Sequence, residues 1–212
     1  MNDRKRKIHK QDDRLNIACF NTRSLYHKRD EMIDFIPTND YDVFCVNETW
    51  LDDTISDNEV CPDGYKILRK DRNRHGGGVC IMFKDFLKVS KIEIENSQIE
   101  SVWINLKIGK ESYAIGTIYR PPSATTEYCN DVFNEIQYIH SKYDNILILG
   151  DLNFDYRFDE SLDSNPIFHI ESAYNMQQLI MEPTRIVEKS STLLDVILTN
   201  VPELHVKSGV GK

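Results

Sequence analysis

The chain has 212 residues, 40% of them hydrophobic and 28% charged, which is enough for one good hydrophobic core; β-rich sandwiches of this length are routinely single domains. Its 34 acids against 26 bases give a formal charge of -8, so the field of the whole molecule repels a polyanion and any nucleic-acid contact has to be local. The N-terminus has no apolar signal region and the longest aliphatic run, residues 146–149, is far too short for a bilayer, so the expectation is an intracellular protein, nuclear or cytoplasmic, with no membrane partner.

In chain order, residues 1–13 come first and carry the basic run Arg4-Lys5-Arg6-Lys7-Ile8-His9-Lys10, read either as a flexible solvated terminus or as a nuclear signal or phosphate-binding arm. Residues 14–212 are read as one domain. Residues 15–20 form the first expected strand, and Met32, Ile33, Phe35 and Ile36 have helical spacing over 28–36, ahead of Pro37. Residues 42–47 then read as a buried strand. Further strands are expected at 65–69, 79–83, 101–108 and 112–119; in the third of these, Val102, Ile104, Leu106 and Ile108 alternate with more polar neighbours, as in a sheet with one buried face. Val132, Phe133, Ile136 and Ile139 mark an amphipathic helix over 127–143 that leads into a buried strand at 145–150. A second helix of this half is expected over 166–180, and late strands at 193–198 and 204–206. Many strands with a few intercalated helices predict two packed sheets covered by helices.

Cysteines at 19, 45, 61, 80 and 129 leave one unpaired in any disulfide scheme, and no Cys-x-x-Cys pair offers a zinc site. They read as reduced core thiols, in keeping with an intracellular compartment.

Polar residues recur where these strands end: Asn21 after the first, Glu48 after the second, Asp151 and Asn153 after the 145–150 run, and Asp195 within a late one. Strand ends are where layered α/β folds gather their active groups. Glu48 and Asp151 are candidate ligands for a hard divalent ion such as magnesium, which takes a few carboxylates and keeps several waters. Asp151, one residue from Asn153, offers a general base beside a neutral donor. An isolated Asp-x-Asn is also common in ordinary turns; the order Asn, Glu, Asp-x-Asn, Asp, each tied to a strand, is what raises it above one.

The blocks Phe20-Asn21, Asn47-Glu48-Thr49-Trp50-Leu51, Gly76-Gly77-Gly78-Val79, Tyr119-Arg120-Pro121-Pro122, Gly150-Asp151-Leu152-Asn153-Phe154 and Thr192-Leu193-Leu194-Asp195 resemble the apurinic-type endonuclease domain of non-LTR retrotransposons, within the endonuclease/exonuclease/phosphatase superfamily. The resemblance covers residues 14–212 and implies a four-layer αββα sandwich of two packed mixed sheets flanked by helices. It implies a magnesium-dependent hydrolase, with manganese a second possible ion, that nicks DNA and leaves a 3′ hydroxyl to prime a reverse transcriptase domain. By that resemblance Glu48 binds the metal with Asp151, Asp151 activates water, Asn153 holds the phosphate, Tyr119 contacts it, Asn21 joins the polar shell, and Asp195 orients a catalytic histidine.

One departure stands out. The family pattern closes with Ser-Asp-His on the last core strand, and this chain contains no such triplet. The expectation is a domain truncated at its C-terminus, lacking that strand, with His205 structural. Arg72, Arg74 and His75 ahead of the triple glycine read as a DNA-facing loop or as a solvated hairpin, and Arg120 and Thr192 are further candidate contacts to DNA phosphate. The triple glycine is not a P-loop, because no Gly-Lys-Ser/Thr follows. Trp50 and Trp103 read as core or as stacking platforms for bases. Two other functions stay open: a phosphatase or other phosphoesterase of the same fold, and a catalytically impaired remnant that keeps the fold without turnover.

Overall fold

The computed structural model describes residues 14–156, 165–187, 190–205 and 207–210, so the basic run at 4–10 lies outside the described residues. Among the described residues, twelve strands and three α-helices follow one another: β1 (Ile17–Asn21), α1 (Arg29–Thr38), β2 (Val43–Asn47), β3 (Tyr65–Lys70), β4 (Val79–Lys84), β5 (Lys88–Ile92), β6 (Glu100–Ile108), β7 (Glu111–Tyr119), α2 (Thr126–His140), β8 (Asn145–Asp151), α3 (Pro166–Tyr174), β9 (Gln177–Gln178), β10 (Arg185–Val187), β11 (Ser190–Thr192) and β12 (Asp195–Thr199).

Two mixed sheets result. The first has the order β1-β2-β4-β3 and the second β5-β6-β7-β8-β12-β9, while β10 and β11 form a separate hairpin. In each sheet one parallel pair is joined by a helical crossover: α1 links β1 to β2, and α2 links β7 to β8. Side-chain alternation divides the apolar residues into three layers. Val43, Cys45, Ile81, Ile104, Leu106, Ile115 and Leu149 meet between the sheets. Phe44, Val46, Cys80 and Met82 point the other way, onto Met32 and Ile36 of α1. Trp103, Ile146, Ile148 and Val196 pack against Val132, Ile136 and Ile139 of α2 and Ile167 and Ile170 of α3. This is the expected four-layer arrangement, and it explains why β2 reads as a continuous apolar run: it is buried on both faces.

Asn47, fully buried at the end of β2, stitches the layers by donating from Nδ2 to Thr117 Oγ1 on β7 at 3.2 Å. The five cysteines are free thiols, two of them (Cys45 and Cys80) fully buried.

The differences from the sequence expectations are local. Helix α1 runs through Pro37, whose ring leaves one i→i−4 hydrogen bond unmade, and ends one residue later. Helix α3 stops at Tyr174 rather than 180: Asn175 turns left-handed (φ 50°), caps the helix by donating its N–H to Glu171 O, and frees Gln177 and Gln178 to pair with β12. The strand expected at 193–198 begins at Asp195. Of the strand expected at 204–206, Leu204 and His205 are not in a strand: Pro202–Leu204 is a 3-10 turn that exposed His205 terminates, and Val206 lies outside the described residues.

Candidate active site

Register lines up the polar residues of the second sheet. Glu100 on β6 faces Tyr119 on β7, Tyr119 faces Asp151 on β8, and Asp151 faces Asp195 on β12. Direct cross-strand partners share a face of the sheet, so these four side chains form a row at one end of it. The first sheet adds Asn21, the last residue of β1, and Glu48, just past β2.

Asn21 joins the two halves. Its Nδ2 donates to Glu48 Oε1 and to Asp151 Oδ2, both at 2.8 Å, which holds the two carboxylate oxygens within two hydrogen-bond lengths of one another. Glu48 is presented by a backbone in the left-handed region (φ 52°), as is Trp50 (φ 53°), and the Trp50 indole N–H donates to Glu48 Oε2 at 3.3 Å. Such strain persists where surrounding structure enforces it: Thr49 and Trp50 donate their N–H groups to the carbonyls of Gly78 and Gly77, and Ser24 and Leu25 donate theirs to the carbonyls of Glu48 and Thr49.

Asp151 is 7% exposed, and its Oδ1 accepts the N–H of Asn153 at 3.1 Å. Burial, and then the neighbouring Asp195 carboxylate, push its pKa up to about 6, against the pull of the Asn21 and Asn153 donors. Asp195 is raised chiefly by burial; Thr184 Oγ1 accepts its backbone N–H at 3.2 Å and that of Leu194 at 3.1 Å. Burial also lifts the Tyr119 phenol well above its usual value, with the Glu48 and Asp151 charges adding to the effect and Arg72 opposing it. Tyr119 is therefore a neutral hydrogen-bond donor throughout the physiological range.

Asn153 is in the left-handed region (φ 51°), and its Nδ2 donates to Arg120 O at 2.8 Å, leaving a second amide N–H. Arg120 itself turns inward. Only 9% exposed, it donates from Nη1 to the carbonyls of Leu152 and Asn153 at 3.3 Å each and stacks over Phe154 at 4.0 Å, so it braces the Asp-x-Asn turn instead of facing solvent as a DNA contact would. Thr192 offers its carbonyl to Thr184 N–H within the small hairpin. Arg74 lies over the Tyr26 ring at 4.7 Å, across from Arg29 at 4.5 Å. Arg72 pairs with Glu100 at 2.9 Å. Trp103 is a core residue, 1% exposed and donating to Glu135 at 2.7 Å, whereas Trp50 is half-buried at the rim.

Glu100 and Thr184 are site-supporting residues that the sequence did not mark. Among the described residues, no group of three or more His, Cys, Asp or Glu is arranged to hold a metal ion. Glu48 and Asp151, brought together by Asn21, are a pair of hard oxygen donors of the kind magnesium or manganese takes alongside water.

Two sheets meet at a carboxylate pair, Asp151 buried and Glu48 half-buried, with a neutral phenol and an amide beside it, an arrangement whose donors and acceptors could receive a phosphate ester. The chain belongs to the Endonuclease/Exonuclease/phosphatase family, whose model matches residues 15–210. Solved structures of this fold include an AP endonuclease from Archaeoglobus fulgidus (18% identity, covering 90% of this chain and 88% of that one, TM-score 0.65). The endonuclease domain of TRAS1, a telomere-specific non-LTR retrotransposon, is also similar (13% identity, 87% and 84% covered, TM-score 0.65). So is a mannosyl-6-phosphatase from Bacteroides thetaiotaomicron (12% identity, 88% and 85% covered, TM-score 0.63). No curated protein sequence matches. No helix among the described residues is long and apolar enough to cross a membrane.

Proposed function

We propose that the chain is a metal-dependent phosphodiesterase that nicks DNA to leave a 3′ hydroxyl, acting as the endonuclease part of a non-LTR retrotransposon whose reverse transcriptase domain extends the nick. The observation that carries this reading is the Asn21 bridge between Glu48 and Asp151, within the row Tyr119, Asp151, Asp195. The residue blocks around Tyr119, Asp151 and Asp195, which resemble those of retrotransposon endonucleases, support DNA nicking over the other chemistries of the fold.

Magnesium, or manganese in its place, would be held by Glu48 and Asp151 and when bound supplies positive charge where oxyanion charge develops. Asp151 takes the proton of the attacking water at a carboxylate oxygen that Asn21 and Asn153 hold in orientation. The Tyr119 hydroxyl and the free N–H of the Asn153 amide donate to non-bridging phosphate oxygens, and these bonds strengthen as charge builds in the transition state. The neighbouring Asp195 carboxylate adds negative charge beside Asp151, which favours a proton there.

A second reading is a remnant that keeps the fold and turns over poorly. Supercoiled plasmid with magnesium or with EDTA separates the two. The nicking reading expects magnesium-dependent open circles whose ends a DNA polymerase extends directly. Nicks that resist extension contradict it. No nicks, with hydrolysis of a small phosphomonoester, would indicate a phosphatase; neither activity in a folded protein would indicate the remnant.

A further inference from the structure

The triple glycine ahead of β4 is not a phosphate-binding loop of the P-loop kind, yet the structure gives each glycine a reason. A Cβ on Gly76 would lie 2.6 Å from Arg72 Nη2, one on Gly77 would collide with both Arg72 and Glu100, and one on Gly78 would lie 2.5 Å from Thr49 Oγ1. Gly77 (φ 67°) and Gly78 (φ 81°) also occupy the left-handed region. The bare backbone thus closes over a guanidinium. Arg72 Nε donates to Gly76 O at 2.9 Å and Nη1 to Glu100 Oε1 at 2.9 Å, while Glu100 Oε2 accepts the N–H of Gly78.

The burial of the two partners is unequal, and this decides what the pair is for. The Glu100 side chain is 11% exposed and that of Arg72 is 39% exposed. The acid is sunk in the sheet while the base reaches solvent. The Nη2 amino group of Arg72 has no hydrogen-bond partner among the described residues. Glu100 sits opposite Tyr119 on the neighbouring strand, so the open donors lie at the end of the polar row that holds Asp151.

We propose that Glu100 is a positioning residue that clamps Arg72 and the 76–78 glycine arch into one fixed anion-binding element, and that Arg72 receives a backbone phosphate of the nucleic-acid substrate there. This rests on the phosphodiesterase reading of the same site and specifies how a chain of net charge -8 attracts its substrate locally. A planar guanidinium with two donors already fixed loses little freedom when its remaining donors take a phosphate. The arch has a second effect: the carbonyls of Gly77 and Gly78 hold Trp50 and Thr49, so Glu100 also steadies the segment that presents Glu48.

The test is binding of a fluorescent duplex oligonucleotide in EDTA over a range of salt, with thermal melting of each variant. Removing one phosphate contact lowers the slope of log K against log salt by about 0.9. Arg72→Gln is expected to weaken binding roughly tenfold and to lower the slope by about that amount, and Arg72→Lys to weaken binding while keeping the slope. Glu100→Gln, which retains the Arg72 charge, is expected to lower affinity and slope as Arg72→Gln does. Wild-type binding with a slope that both Arg72→Gln and Glu100→Gln leave intact overturns the inference while the phosphodiesterase reading stands. No salt-dependent binding by the wild type overturns the DNA reading and this inference with it. Should Arg72→Gln melt far below the wild type, Arg72→Lys decides: unchanged affinity contradicts a guanidinium clamp.

Discussion

At the scale of single residues, Asp151 carries a carboxyl whose ionisation the fold opposes. In the metal-free protein its carboxyl is buried beside Asp195 and Glu48, so its pKa rises from 3.8 in the unfolded chain to about 6. Folding then favours the protonated form: the native state is unpenalised below pH 4 and loses stability as pH rises through 6, by about 3 kcal/mol for a shift of this size. Asp195 is shifted in the same direction. Asp151→Asn removes this cost, so in EDTA the variant is expected to unfold at higher urea than the wild type at pH 7 and at nearly the same urea at pH 4. A wild-type advantage at pH 7 would show that the carboxylate is not desolvated as described. Gly150 makes the complementary point about space. Its φ of 149° and the carbonyl of Ile118, which an added Cβ would strike, mean that Gly150→Ala should cost roughly 1–3 kcal/mol in a urea titration.

At the scale of elements, α2 is fastened to β6 by more than apolar contact. Glu135, 4% exposed, accepts from Trp103 Nε1 at 2.7 Å and from Ser97 Oγ at 2.6 Å, and Gly116 leaves room for the indole on the adjacent strand. Glu135→Ala strands two donors and should lower stability by roughly 1–3 kcal/mol, whereas Glu135→Gln, which keeps an acceptor, should cost less. Equal losses would assign the effect to charge rather than to hydrogen bonding. The elements legible in the sequence are those with sustained apolar patterning: β2, β6, β7 and β8 lie within one residue of their expected positions, and α2 begins one residue before the expected 127 and ends three before the expected 143. β5 escaped because its exposed Lys88, Ser90 and Lys91 break the apolar pattern, and β9 to β11 because two or three residues carry no period. Leu204 and His205 failed for the opposite reason, since the alternation of the sequence there imitates a strand, whereas Pro202–Leu204 is a turn. Asn21, Glu48, Asp151, Asn153 and Asp195 were legible because each interrupts or ends an apolar run. Glu100 was not, for its partners Arg72 and Gly78 lie 28 and 22 positions away, and an acid ahead of an alternating segment looks like an ordinary flank.

At the scale of the whole molecule, the two sheets come together so that residues from β1, the end of β2, β7, β8 and β12 share one rim, and the centre exists only when both halves are folded. A ligand that spans them stabilises the native state by mass action, about 2.7 kcal/mol at one hundred times its Kd. Magnesium is therefore expected to raise the melting temperature of the wild type by several degrees and that of Glu48→Gln by far less; equal shifts would place the ion elsewhere. The net charge of -8 makes substrate capture depend on local cations, so nicking should fall steeply as salt rises. The most direct test of the central claim, that Asp151 in its Asn21-bridged setting is the hydrolytic base, is the initial rate at which supercoiled plasmid becomes open circle in magnesium for wild type and Asp151→Asn side by side. Loss of a base of this kind predicts a fall of about 100-fold or more with the fold intact. Equal rates for the two proteins would contradict it.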